Sequence, residues 1–256
     1  MKAPILTPAH YTPRPRNMKA IAMTDTTERL DKRLARQLDC ARGQARQWIE
    51  NGWVRVDGQV IEQPQAQVSA QQQVAVDDNA EQQKVEMATM VLHQPAGTVV
   101  DALVQAVRPE TQRSDDPAGV RRLQRHFHNL RVALPLPPDA SGLVIVSQDG
   151  RVLSHLASHG LEVEHEYLIE VSGQASTWTI GKIQAALRGA QAVKISWQSE
   201  QRLRVVGKRL DPAVLRHACQ ENGLAVDSMR RLRIGQVGLS KLPAGQWHYL
   251  PAGTRF

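Results

Sequence analysis

The sequence predicts an α+β fold, with a small N-terminal domain at 26–80 and a larger mixed, mainly antiparallel domain at 89–256. Three observations predict it. Short alternating runs such as Val54-Arg55-Val56 and Val60-Ile61 are joined by a hairpin signal, here Asp57-Gly58, rather than by a crossover helix. Helix start and stop signals such as Asp211-Pro212 and Gly223 fall between strand runs, a mixture that argues against a doubly wound parallel sheet. A polar stretch at 81–88, opening Glu81-Gln82-Gln83-Lys84, reads as a linker between the two parts.

The chain's 256 residues can bury a real core, and a hydrophobic fraction of 41% is ordinary for a soluble globular protein. No run approaches the roughly 18–20 apolar residues a membrane span needs. Met1 to Arg16 carries prolines and basic residues without an apolar centre, so it is no signal peptide. Cys40 and Cys219 form neither a metal-spaced cluster nor a disulfide framework. These features point to the cytoplasm and away from membranes. Lys and Arg total 32 against 25 acids, a net charge of +7. Arginine suits phosphate because its planar fork donates two hydrogen bonds at once, so the balance points to nucleic acid or another anionic surface.

Residues 1–25 read as a disordered basic tail without hydrophobic period, and Met18 and Met23 are alternative starts. A helix begins within Arg29–Ala35, with Thr26 or Thr27 available as its cap. A second, Arg42 to Asn51, sets Ala45, Trp48 and Ile49 on one face and Arg42 and Arg46 on another, and Gly52 ends it. Strands follow at Val54–Val56, Val60–Ile61 and Val74–Val76. In the larger part, strands are expected at Met90–Leu92, Glu166–Val171, Val193–Trp197, Leu203–Val206 and through Arg233-Ile234, with helices at 98–107, 152–157, 180–187 and 212–222. Asp211 caps the last helix and Pro212 opens it. His126 and His128 stand beside Arg121, Arg122 and Arg125. The arginines would repel a cation, so this stretch reads as a basic surface and not a metal site.

The stretch 133–150, ALPLPPDASGLVIVSQDG, carries the candidate chemistry. Pro135, Pro137 and Pro138 predict a stiff, extended approach to a buried strand beginning after Gly142, and Asp149-Gly150 a turn at its end. Asp139 is the first candidate for a binding or catalytic group and Ser141 the second. A serine hydrolase built on Ser141 fails, because Asp-Ala-Ser-Gly-Leu is not a Gly-x-Ser-x-Gly elbow.

The order RLDKRLA…CARGQARQWIENGWVRVDGQV over residues 28–77 resembles an S-four-type RNA-binding domain. That resemblance implies that Arg29, Lys32, Arg33, Arg42 and Arg46 face structured RNA, chiefly its phosphates. The pieces that follow are a Pro-Ala-Gly turn, an SGL strand ending QDG, EHEYLIEV and MRRLRIGQVGLSKLPAGQW. With the first domain they resemble the small-subunit and dual-specificity type of ribosomal RNA pseudouridine synthases. The resemblance implies a cofactor-free, metal-free isomerisation of uridine on ribosomal RNA by a monomer. The base is flipped out, detached, turned and rejoined to its sugar through carbon. It further implies RNA contacts from Arg121, Arg122, Arg125, Arg230 and Arg231.

Carried over residue by residue, the family tyrosine that lies under the base falls on Tyr167 and the arginine that holds the catalytic Asp on Arg216. The Gly-Arg-Leu-Asp motif falls on Leu134-Pro135-Leu136-Pro137, so the catalytic Asp position is Pro137, and the lysine of the Lys-Pro-x-Gly motif is Gln94. A proline can neither attack nor accept a proton. Asp139 lies two residues on, displaced by roughly 6–7 Å along an extended chain, so chemistry survives only if the loop is remodelled. The sequence therefore reads as an RNA-binding relative with impaired catalysis, the alternative being an active enzyme that uses a relocated Asp139.

Overall fold

The computed structural model describes residues 27–78, 80 and 87–256. The tail at 1–25, the starts Met18 and Met23, the cap Thr26 and positions 81–86 of the linker lie outside the described residues.

The N-terminal unit runs β1 (Glu28–Arg29), α1 (Leu30–Gln37), α2 (Arg42–Glu50), β2 (Val54–Val56), β3 (Gln59–Val60), β4 (Gln67–Val68) and β5 (Val74–Val76). Leu30 and Leu34 of α1 meet Ala45, Trp48 and Ile49 of α2 above Val54 and Val74, because i,i+4 spacing puts each set on one helix face. Arg29, and not Thr27, stands at the N-cap of α1 and makes no side-chain cap. The helix's first N–H groups go instead to backbone carbonyls, Leu30 N to Ala66 O at 2.8 Å and Asp31 N to Pro64 O at 3.0 Å, which the β1–β4 pairing brings alongside. Asp57 and Gly58, at φ 50° and 81°, form the hairpin turn between β2 and β3.

The larger unit contains β6 (Thr89–Gln94), α3 (Val100–Ala106), β7 (Arg131–Ala133), β8 (Ser141–Ser147), α4 (Gly150–His159), β9 (His165–Gly173) and α5 (Thr179–Ala186). It continues with β10 (Gln191–Ser199), β11 (Arg202–Lys208), α6 (Pro212–Glu221), β12 (Leu224–Ile234), β13 (Val237–Gly238) and β14 (Trp247–Tyr249). Its sheet runs β10-β11-β9-β12-β8-β6-β14, with β13 on β12 and β7 on β8. Every pairing is antiparallel except β8 with β12 at the centre. One face packs Leu92, Val144, Val146, Tyr167, Ile169 and Met229 against Leu103 of α3, Ile183 of α5 and Leu215 of α6. The other packs Val91, Leu143 and Ile145 against Leu156 of α4. No helix among the described residues is long and apolar enough to cross a membrane.

Asp149-Gly150 is a helix start and not a turn. Asp149 caps α4, accepting from Arg151 N at 2.8 Å, so the expected helix at 152–157 begins two residues earlier. Asp211 caps α6 in the same way, accepting from Ala213 N at 2.8 Å. The central parallel pairing depends on Gly142, at φ 115°. A Cβ there would stand 2.3 Å from the carbonyl oxygen of Arg231 and 2.6 Å from its nitrogen. The two units touch where Gln124 N donates to Glu62 Oε2 at 2.6 Å and Gln63 Nε2 to Gln124 Oε1 at 3.2 Å.

Candidate functional site

The loop between β7 and β8 is not the extended approach its three prolines predict. Ala140 N donates to Pro137 O at 3.0 Å, closing a turn through Pro138 and Asp139. Further ties fix it. Gly97 N donates to Pro138 O at 2.6 Å, and Gln94 Nε2 to Leu136 O at 3.3 Å. Arg231 Nη2 donates to Leu134 O, and Arg216 Nη2 pairs with Asp139 Oδ2 at 2.7 Å. The turn thus swings Asp139 back onto α6, where Arg216 also donates to Val226 O at 3.3 Å. Asp139 is 57% exposed and Arg216 23%, so this pair sits at the surface.

Under the loop runs a row across the sheet. Tyr167 of β9 pairs with Arg231 of β12, Arg231 with Gly142 of β8, and Gly142 with Gln94 of β6. Residues opposite one another share a face, so Tyr167, Arg231 and Gln94 all point beneath the loop. Tyr167 is fully buried, and burial pushes its hydroxyl above the usual tyrosine range, with the Arg231 charge pulling the other way. His165 lies two residues along the same face, 6.3 Å from the Tyr167 ring, and bonds Gly160 O through Nε2 at 3.0 Å. Burial pushes His165 down to about 4, with Arg231 adding to the shift, so it stays neutral.

Two buried polar atoms of this face, Gln94 Oε1 and His165 Nδ1, have no hydrogen-bond partner, and Tyr167 Oη is left with the Arg231 guanidinium alone. Each such atom costs about 1–3 kcal/mol in a dry interior, which sets this face apart from the apolar packing around it. No hydrogen bond, ion pair or ring contact among the described residues joins Tyr167 to Asp139 or Arg216. The carbonyl that anchors Arg216, Val226 O, belongs to the residue opposite Val171, four positions and roughly 13 Å along the strand from Tyr167. The structure brings Asp139 and Arg216 together, and Tyr167 is sealed beneath the loop.

Arg231 corrects an expectation. It is not a surface RNA contact: it is 3% exposed, donates from Nε to Leu143 O at 2.8 Å, and meets no carboxylate among the described residues. Alternation with the buried Met229 two residues earlier points the same way. Arg230, on the opposite face, is exposed.

In the N-terminal unit, Arg29 at the end of β1, Lys32 on α1 and Arg42 and Arg46 on α2 are exposed, and Arg33 is half-buried. Sequence reasoning missed the acid among them. Asp31 is 1% exposed and accepts from Arg29 Nε and Nη2 at 3.1 and 3.0 Å, and from Arg42 Nη2 at 3.1 and 3.0 Å. Arg33 stands 3.8 Å from Glu28, and Arg46 3.6 Å from Glu50. Arg121 and Arg122 are exposed, as expected of a basic surface, but Arg125 is half-buried and His126 is buried. His126 Nδ1 lies 3.0 Å from Tyr249 Oη, and burial pushes the ring down to about 4, so it adds no charge to that surface.

Comparison with known proteins matches this two-part order. The S4 domain family matches residues 28–74. Over 230 residues the chain is 24% identical to an uncharacterized RNA pseudouridine synthase of Aquifex aeolicus (strain VF5), covering 87% of this chain and 92% of that protein. Over 234 residues it is 25% identical to a dual-specificity RNA pseudouridine synthase of Salmonella typhi, covering 89% of this chain and 77% of that protein. A crystal structure of a pseudouridylate synthase shares the fold, with a TM-score of 0.53 at 19% identity, covering 87% of this chain and 95% of that one.

Proposed function

We infer that this chain is a member of the RNA pseudouridine synthases that binds structured RNA through its S4 unit and is impaired in isomerising uridine. The partner class is ribosomal RNA, engaged by a monomer in the cytoplasm without cofactor or metal. The observation that carries the impaired reading is the position of the carboxylate. Pro137 offers only a ring and a carbonyl, and that carbonyl is taken by Ala140 N. The next acid along the chain, Asp139, is held by Arg216 at the surface, while Tyr167 is sealed. A carboxylate that must attack has to reach the base lying on the tyrosine, and misplacement by even 1 Å costs about a hundredfold.

A second reading has its own observation. The 2.7 Å pair joins Asp139 to the arginine that the family resemblance assigns to holding the catalytic acid. If the loop opens over Tyr167, the pair would arrive with it, and turnover would use Asp139.

Mapping pseudouridine in total RNA with and without the gene separates the two. The impaired reading expects no position to change. Loss of one pseudouridine on deletion, restored by the natural chain but not by Asp139→Asn, would replace it with the second.

A further inference from the structure

A separate concavity lies at the opposite end of β6 and β8 from the loop. There Thr89 pairs with Ser147, five rungs from the Gln94–Gly142 pair. It encloses about 750 Å³, inside the range of roughly 300–1,000 Å³ typical of small-molecule sites. Val152, Leu250 and Phe256 give it apolar walls, and the hydrogen-bonded His126–Tyr249 pair lines it with aromatic polar edges. Arg151 and Arg255, both exposed, stand among the lining residues.

The charges select the ligand. Asp149 also lines the cavity, but its carboxylate is committed to the α4 cap and to Arg151, with Arg151 N on Oδ1 and Nη2 on Oδ2, both at 2.8 Å. A cationic ligand therefore finds no uncommitted side-chain carboxylate there. His126 is held neutral by burial, so it offers a hydrogen-bonding edge and not a counter-ion. The Asp149 pair commits the Arg151 guanidinium as well, through Nε and Nη2 at 3.2 and 2.8 Å, so what remains is space for a flat, uncharged, hydrogen-bonding ring against apolar walls, with the Arg255 guanidinium for an anionic tail. We propose that this cavity binds a nucleotide, its base against Val152 and Phe256 beside the His126–Tyr249 pair and its phosphate toward Arg255.

A free nucleotide and an unpaired nucleotide of an RNA strand share that chemistry, so the test has two arms. The full chain is titrated with uridine and adenosine 5′-monophosphates by calorimetry, and with an unstructured oligoribonucleotide. Val152→Trp fills the cavity, and Arg255→Glu reverses a charge on an exposed side chain that leaves the core intact. Binding of free nucleotides that weakens about tenfold or more in both variants supports the site with a small-molecule source. The same sensitivity seen only with the oligoribonucleotide supports it with RNA as the source. No binding in either arm, or binding indifferent to Arg255→Glu, overturns it. The outcome is independent of the S4 unit: Lys32→Ala leaves the free-nucleotide arm unchanged and reports on structured-RNA binding alone.

Discussion

Asp31 enters the core of the N-terminal unit with a buried carboxylate, and two arginines keep it charged there. Burial alone would raise its pKa, yet the hydrogen bonds from Arg29 and Arg42 outweigh burial and hold it below the usual carboxylate range. A depressed pKa stabilises the fold above the unfolded value near 3.9, and that stability is lost as pH falls through the folded value. Asp31→Asn should therefore cost about 2 kcal/mol at neutral pH in chemical denaturation, and should flatten the acid limb of stability below about pH 4. A variant as stable as the parent would show the pair to be idle. His126 and His165 act in a higher window. Both sit near 4 when folded against about 6.5 unfolded, so the unfolded chain binds protons that the folded chain refuses. Their contribution is whole above about pH 6.5 and drains away between about 6.5 and 4. Melting temperature should fall across that interval, and His165→Leu should reduce the slope whatever it does to the absolute value.

At the level of elements, the central strands were legible because their reasons are local. Leu143-Val144-Ile145-Val146 is buried as its apolar run implies, and Asp211-Pro212 opens α6 as its cap chemistry implies. Features set by distant partners were not. The carbonyls that begin α1 come from residues 64 and 66, so the threonines before it looked like the cap. The loop at 134–140 bends because Gly97, Gln94, Arg216 and Arg231 tie it from other segments, which no reading of its prolines could supply. The row beneath it was half legible: resemblance pointed to Tyr167, whereas the charge of Arg231 suggested the surface and hid its burial. The pairing of β8 with β12 holds this row together and turns on Gly142. Gly142→Ala combines an unfavourable φ with a backbone clash on Arg231, and should destabilise the protein by about 3 kcal/mol or more. Unchanged thermal unfolding would mean that the two strands separate without cost.

Across the whole molecule, charge is not distributed as its total suggests. Residues 28–77 hold seven basic and seven acidic side chains, while 89–256 hold twenty and fourteen, so the S4 unit carries no excess of its own. RNA binding by that unit must then rest on sidedness: Asp31 and Glu28 are engaged by Arg29, Arg42, Arg33 and Arg36, and the guanidinium groups stand outside the buried carboxylate of Asp31. On the proposed reading such a face would meet phosphates without reading sequence, and each phosphate left unneutralised lowers the salt dependence of binding by about one released ion. Lys32→Ala and Arg46→Ala, whose side chains leave the Asp31 cluster intact, should each weaken binding to structured ribosomal RNA fragments of any sequence and reduce the slope of log affinity against log salt by about one. Filter binding across a salt series measures both quantities. If neither affinity nor slope moves while Arg121→Ala and Arg122→Ala move both, the RNA lies on the larger domain's basic stretch and the S4 unit serves only to hold that stretch in place through Glu62 and Gln63.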